Sequence, residues 1–286
     1  MKENENEKNI KEMINNLFDS DYIKEGWFDK ETSITASIID CIKKCTSPRA
    51  SKKNNPITED DLKLIFKAFS LFKPSETRVL ILGQDPYPES NKAQGLAFSC
   101  KKGKAHSLTK IFKAINKYKK TTKSYNYDLA NWATKNKILL LNTALTFEKS
   151  KKFAGNYKYK KDLSKNQQQE LKKDQLELQE KHIECWNNFM VEVIKSLIKK
   201  NKNFVVFLWG NKAKDLFNSC NNSKCIIKFE TCHPQKRFKK GENDQFLMEA
   251  PNHFAACDEI FKKKGLEPIF KDFPENNTED YYKNKK

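Results

Sequence analysis

The sequence contains no run of about 18 apolar residues, so no transmembrane helix is expected. Its opening, MKENENEKNIKEMINN, is polar and mixed in charge and lacks the apolar core of a signal peptide. These two absences lead us to expect an intracellular protein with no membrane partner, cytoplasmic or, in a eukaryote, nuclear. Cysteine occurs eight times, yet no CxxC pair is present. Cys41/Cys45 and Cys220/Cys225 are spaced like half-sites, but no second matched pair completes them. Reduced thiols and no metal are the expectation. No glycine-rich phosphate loop appears, which argues against a flavodoxin-like nucleotide-binding protein. There is no internal repeat. Apolar residues make up 37% of the chain, a low share.

Charge is what the chain has in excess. Lys and Arg number 55 against 37 Asp and Glu, a formal net charge of +18. A surface this cationic favours polyanions such as nucleic acid or a membrane surface. Lys and Asn are abundant throughout, so compositional bias explains part of the excess. A length of 286 residues permits one large α/β domain or two small ones. The dense apolar runs in the middle of the chain can build a core, which leaves the charge to tails, loops and helix faces.

Apolar runs and their spacing outline the elements. Ile14–Phe18 is a short amphipathic segment, Trp27-Phe28 can dock on a core, Ile34–Ile42 is helical and Pro48–Asn55 is a loop. Thr58 and Asp61 form a capping arrangement ahead of a helix whose apolar residues are Leu62, Ile65, Phe66 and Phe69. Strands are expected at Arg78–Leu82, at Ile138–Asn142, apolar until its polar last residue, at Phe204–Trp209 and at Cys225–Phe229. Helices are expected between them: one marked by Leu108, Ile111, Phe112 and Ile115 with Ser107 as N-cap, a short one at Leu129–Lys135, a long one at Ile183–Lys199, and one containing Ala213–Phe217. A loop over Thr231–Asn252 and a helix at Phe254–Lys263 follow. Lys149–Lys181 is a charged insertion, part coil and part helix (Gln167–Glu180), and Asn276–Lys286 is a polar tail. Apolar strands alternating with helices imply a parallel sheet covered on both faces, with its strand ends on one rim. The Asp85 loop, Asn142 and the loop holding His233 would then share that rim.

Four segments together resemble family 1 uracil-DNA glycosylase: GQDPYP at 83–88 with GLAFS at 95–99, LLLNTALT at 139–146, VFLWGNKA at 206–213, and CHP at 232–234 followed by NHF at 252–254. The resemblance spans roughly Pro56 to Phe273. It implies a three-layer α/β/α fold with a central four-stranded, mainly parallel sheet. The implied organisation is an N-terminal extension (1–55), one glycosylase domain (56–273) with the insertion at 149–181, and a tail (274–286). The implied activity is removal of uracil from DNA, single- or double-stranded, leaving an abasic site. It is a monofunctional hydrolysis of the N-glycosidic bond without cofactor.

That hydrolysis builds positive charge on the sugar and negative charge on the departing base. It needs a carboxylate by the sugar, a hydrogen-bond donor at uracil O2 and a pocket that rejects other bases. The resemblance assigns the first to Asp85, whose alternative is a turn residue bonding its own backbone. It assigns the second to His233, whose alternative is a surface histidine. Gln84 would contribute to the oxyanion or backbone environment of the site. Asn142 would read the uracil edge, Phe98 would stack on the base, and Tyr87 would occupy the space of a thymine methyl. DNA contact falls to Ser107, His182, Gln235, Arg237 and Phe238, with Lys236, Lys239 and Lys240 able to grip phosphates.

The sequence departs from the family pattern in places. Pro88 and Gln94 stand where histidines are usual. HPQKRF at 233–238 replaces HPSPLS, so Arg237 or Phe238 would have to fill the gap left by the flipped base, and Gln235 replaces a phosphate-binding serine. These changes keep a second reading open: a DNA-binding relative with weak or lost activity, acting as a replication or repair accessory factor. A monomer is expected, with a proteinaceous inhibitor or a replication factor as further partners.

Overall fold

A computed structural model describes residues 5–28, 32–50, 57–87, 92–101, 105–150, 163–220, 226–239, 241–271 and 273. Pro88, Cys225, Lys240 and the tail from 274 lie outside the described residues. Four strands form one sheet: β1 (Val79–Gly83), β2 (Ile138–Asn142), β3 (Val205–Trp209) and β4 (Ile227–Thr231). All pairings are parallel, and the spatial order is β2-β1-β3-β4. Every residue of β1, β2 and β3 is buried, because parallel strands between two helical layers have no solvent face. β4 is the half-exposed edge, with Lys228 and Glu230 on it. It starts and ends two residues later than its apolar run suggests, because an edge strand accepts charge on its open side.

Eight α-helices are described: α1 (Glu5–Asp19), α2 (Thr32–Ala50), α3 (Glu59–Ile65), α4 (His106–Lys119), α5 (Ala130–Asn136), α6 (Lys165–Lys200), α7 (Asn211–Ser219) and α8 (Gln245–Lys263). α4 packs on α8. α2 and α7 pack on α6, and α1 packs on α2 and α3. Among the described residues no helix is long and apolar enough to cross a membrane.

Several elements differ from the sequence reading. α1 is a full helix whose Ile10, Ile14 and Leu17 belong to the same buried cluster as the sheet. α2 runs on through Pro48 to Ala50, eight residues past the expected end at Ile42. α3 carries the expected capping box, with Thr58 and Asp61 each bonding the other's backbone. The N-cap of α4 is Ala105, and Ser107 is buried inside the helix. The insertion and the long helix are one element. α6 starts at its own capping box, Ser164 with Gln167, and continues for 36 residues. α8 begins at Gln245 and contains Pro251, where a loop was expected. A proline there removes the N–H that would bond the carbonyl four residues back. That carbonyl, of Leu247, accepts instead from Lys117 Nζ at 3.1 Å.

Candidate active site

The order β2-β1-β3-β4 reverses direction between β1 and β3. In open α/β sheets, a crevice forms beyond the carboxyl ends of the strands at such a point. The loops that meet there follow β1, β2 and β4. Gly83 and Asn142 are partners in register at the ends of β1 and β2. The loops are then tied together: Thr143 N–H donates to Gly83 O, Ala144 N–H to Gln84 O, and the Thr143 hydroxyl to Gln84 O. The Gln84 carbonyl is thus the point at which the loop after β2 is tied to the loop after β1.

Glycine at 83 is required by close approach. A Cβ there would stand 2.3 Å from Asn142 Oδ1 and 3.0 Å from Ala97 Cβ. Asn142 is 8% exposed, and no hydrogen bond from the described residues occupies its side-chain amide. Phe98 sits beside it in a left-handed conformation, φ +62°. That is a costly backbone for an aromatic residue, and such strain clusters at functional sites. The Phe98 ring lies edge-on to Trp209, and 6.0 Å from the His233 ring at an interplanar angle of 35°. Tyr87 Oη donates to Phe98 O at 2.8 Å, so the proline-rich loop and the strained residue hold each other.

His233 follows β4. Gly210, at φ +101°, leaves it room, since a Cβ at 210 would meet His233 Cβ at 3.0 Å. Its Nδ1 accepts from the backbone N–H of Gln235 at 3.1 Å. The ring proton therefore belongs on Nε2, the outer nitrogen. Burial, with help from Lys110, pushes the imidazolium pKa down to about 4. At neutral pH His233 is an uncharged ring with one donor. Asp85 is displaced in the opposite direction. Burial raises its pKa to about 6, and one hydrogen bond opposes the rise. The donor is Gln179 Nε2, 2.6 Å from Asp85 Oδ2.

Gln179 belongs to the insertion and the sequence reading missed it. Its side of α6 carries Gln175, Gln179, His182 and Trp186, at helical spacing. Gln175 receives the Ser150 N–H and donates to Glu148 O. Trp186 Nε1 donates to Thr146 Oγ1 at 2.7 Å, and that hydroxyl meets His182 Nδ1 at 2.8 Å. His182 and Ser107 are each 3% exposed, so neither is open to a phosphate in this structure. The reason is helical register: unbroken α6 turns position 182 toward the core. Gln235, Arg237 and Lys236 are exposed, and Phe238 is half-buried. Two ammonium groups lie over the Phe238 ring, Lys110 at 5.6 Å and Lys236 at 5.3 Å from its centroid. Gln94 bonds Ser99 and Asp128, a structural tie beneath the loop. Phe254 of NHF is core, stacked on Phe270 at 4.4 Å.

The family model described as Uracil DNA glycosylase superfamily matches residues 69–261. A Borreliella burgdorferi protein named uracil-DNA glycosylase is 32% identical over 259 residues, covering 90% of this chain and 94% of that protein. A Campylobacter jejuni protein of the same name is 32% identical over 208 residues, covering 72% and 75%. Among solved structures, a mimivirus UNG variant in complex with UGI is similar with a TM-score of 0.59 and 19% identity, covering 88% of this chain and 89% of that one.

Proposed function

This chain belongs to the uracil-DNA glycosylase superfamily, and on that premise we propose how its site releases uracil from DNA. The protein is a DNA repair glycosylase, a hydrolase of N-glycosyl bonds. The observation that carries the assignment of roles is the meeting of an acceptor and a donor with opposite displacements. Asp85 and His233 stand on one rim, the first a carboxylate above about pH 6 and the second neutral above about pH 4.

The nucleotide is extruded and its uracil enters beside Phe98, which stacks on it. Asn142 offers an amide that accepts from N3–H and donates to O4, a pairing cytosine does not match. Tyr87, held by its bond to Phe98 O, stands against the C5 edge and excludes a methyl. As the glycosidic bond lengthens, electrons move into the uracil ring and the sugar becomes an oxocarbenium-like cation. His233 Nε2–H donates to O2 and stabilises the anion without itself losing the proton, the role of an oxyanion donor. The Asp85 carboxylate stabilises the sugar cation and orients the water that adds to C1′. The products are free uracil and an abasic site. Gln235, Arg237, Lys236 and Phe238 form the DNA-facing loop, with Phe238 or Arg237 filling the space the base vacates. A protein ligand on the same rim and a monomeric enzyme are part of this reading. The mimivirus relative, solved in complex with UGI, supports the first.

Uracil release from a deoxyuridine oligonucleotide tests the roles. Asp85→Asn and His233→Leu are each expected to lower kcat by at least a hundredfold, in line with loss of one preorganised electrostatic group, while DNA binding persists. If both variants keep wild-type rates, the assignment of these two residues is wrong. A folded wild type that binds DNA but releases no uracil would favour the accessory reading.

A further inference from the structure

We propose that Gln179, on the insertion half of α6, is a positioning residue for the catalytic carboxylate, so that the insertion completes the active site. The inference rests on the catalytic role given to Asp85 above. The geometry is a 2.6 Å hydrogen bond from Gln179 Nε2 to Asp85 Oδ2, across 94 residues of sequence. Among the described residues nothing donates a hydrogen bond to Oδ1, so the contact fixes one oxygen and leaves the other for water and sugar. The donor is itself held in place. Glu180, next along the helix, pairs with Lys212 of α7 at 2.5 Å. One turn before, Gln175 is tied to the loop after β2. One and two turns after, His182 and Trp186 converge on Thr146. Gln179 is therefore carried by a clamped stretch of helix, and its reach to Asp85 follows from register.

A carboxylate in a buried site has two requirements that conflict. It must stay ionised, which burial opposes, and it must hold one orientation, which a short side chain on a loop does not ensure. An amide donor meets both, because a hydrogen bond to the charged form favours that form and fixes its plane. An amide suits the place better than a cation would. A lysine or arginine there would neutralise the charge that the sugar cation needs. Burial and the Gln179 hydrogen bond are the two influences that set the Asp85 carboxyl. Glu180 is matched by Lys212, His182 is kept neutral by burial, and His233 is neutral by the same cause. Glu148, on the β2 loop, is buried.

The test compares wild type, Gln179→Leu and Gln179→Glu by uracil release from single-stranded oligonucleotide across pH 5–9, and by the pH titration of the Asp85 carboxyl carbon in NMR. Removing a hydrogen bond to a charged group is expected to raise the acid limb of kcat by about one to two pH units in Gln179→Leu. From ionisation alone, kcat at pH 7 then falls about two- to tenfold and recovers at higher pH, with KM unchanged. Gln179→Glu sets two carboxylates against each other and moves the limb further up. The NMR titration follows the same shift without relying on turnover. If wild type releases no uracil, the catalytic reading fails, while the titration still decides whether Gln179 governs Asp85. An unmoved limb and titration in both variants overturn the proposal. A rise in kcat on Gln179→Leu also overturns it, since the helix would then be an obstruction.

Discussion

A carboxylate held ionised in a buried site works against the stability of the protein that holds it. Asp85 has its pKa raised from 3.8 to about 6, mainly by burial. The protonated form is the one the fold prefers. Its contribution to stability is present below pH 3.8 and is lost as pH rises through about 6. Two pKa units set a ceiling of about 3 kcal/mol, and residual hydration of a half-buried side chain reduces it to about 1–2 kcal/mol. Asp85→Asn, which keeps an acceptor for Gln179, is therefore expected to raise Tm at pH 7.5 by about 3–6 °C while abolishing activity. Calorimetry checks the sign: the gain should shrink as pH falls from 7 to 4, and a pH-independent gain would assign it to something other than charge. At this scale the candidate site was legible in part. Asn142 ends an apolar run, where packing gives no reason for a polar residue, whereas Asp85 and His233 stood out only through the motifs that carry the family resemblance. Phe98 was legible as an aromatic, but its φ of +62° was not, because nothing in AFS signals a left-handed backbone. Gln179 left no trace, since a glutamine in a polar stretch looks solvated until the tertiary register of its helix is known.

Elements were legible where burial wrote a pattern and illegible where it did not. β1, β2 and β3 are buried at every position, with Asn142 the one polar residue among them, and were placed to within a residue. β4 was displaced because its edge carries Lys228 and Glu230 within the strand. α6 was split into insertion and helix because only its second half has an apolar face, although Ser164 and Gln167 spell a capping box that marks the true start. α8 was cut short by Pro251, whose cost falls once Lys117 meets the freed carbonyl. Of α1 only the short amphipathic segment Ile14–Phe18 was legible, and within it Ile14 is fully buried against the rest. Ile14→Ala removes a packed side chain and leaves a cavity, and we expect a loss of about 2–5 kcal/mol. Guanidinium denaturation followed by tryptophan fluorescence reads this directly. A midpoint equal to that of wild type would mean α1 adds nothing to the cooperative unit.

For the whole molecule, charge and cleft have to be considered together. The 55 basic residues are spread through the chain and many of them pair with nearby carboxylates, which leaves a net excess of +18. Lys110, which helps keep His233 neutral, is paired with Asp244 at 2.8 Å and donates to Lys236 O. Arg237, exposed on the loop after His233, has no ion-pair partner among the described residues. Net charge alone would give long-range attraction to any polyanion. A specific footprint gives a fixed number of phosphate contacts, each releasing a counterion. About five such contacts produce a slope of log affinity against log salt near −4.5 on duplex and near −3.5 on a single strand. Arg237→Ala should make the slope shallower by about 0.9 on duplex, and Lys110→Ala by less, because Asp244 already neutralises part of that charge. Fluorescence anisotropy across 50–300 mM salt, with Asp85→Asn as the uncleaving background, separates the two cases. Equal slopes for all variants would mean diffuse attraction by bulk charge. A shallower slope for Arg237→Ala alone would place the phosphate grip on the same loop that presents His233, so that gripping the strand and polarising uracil O2 are done by neighbouring residues.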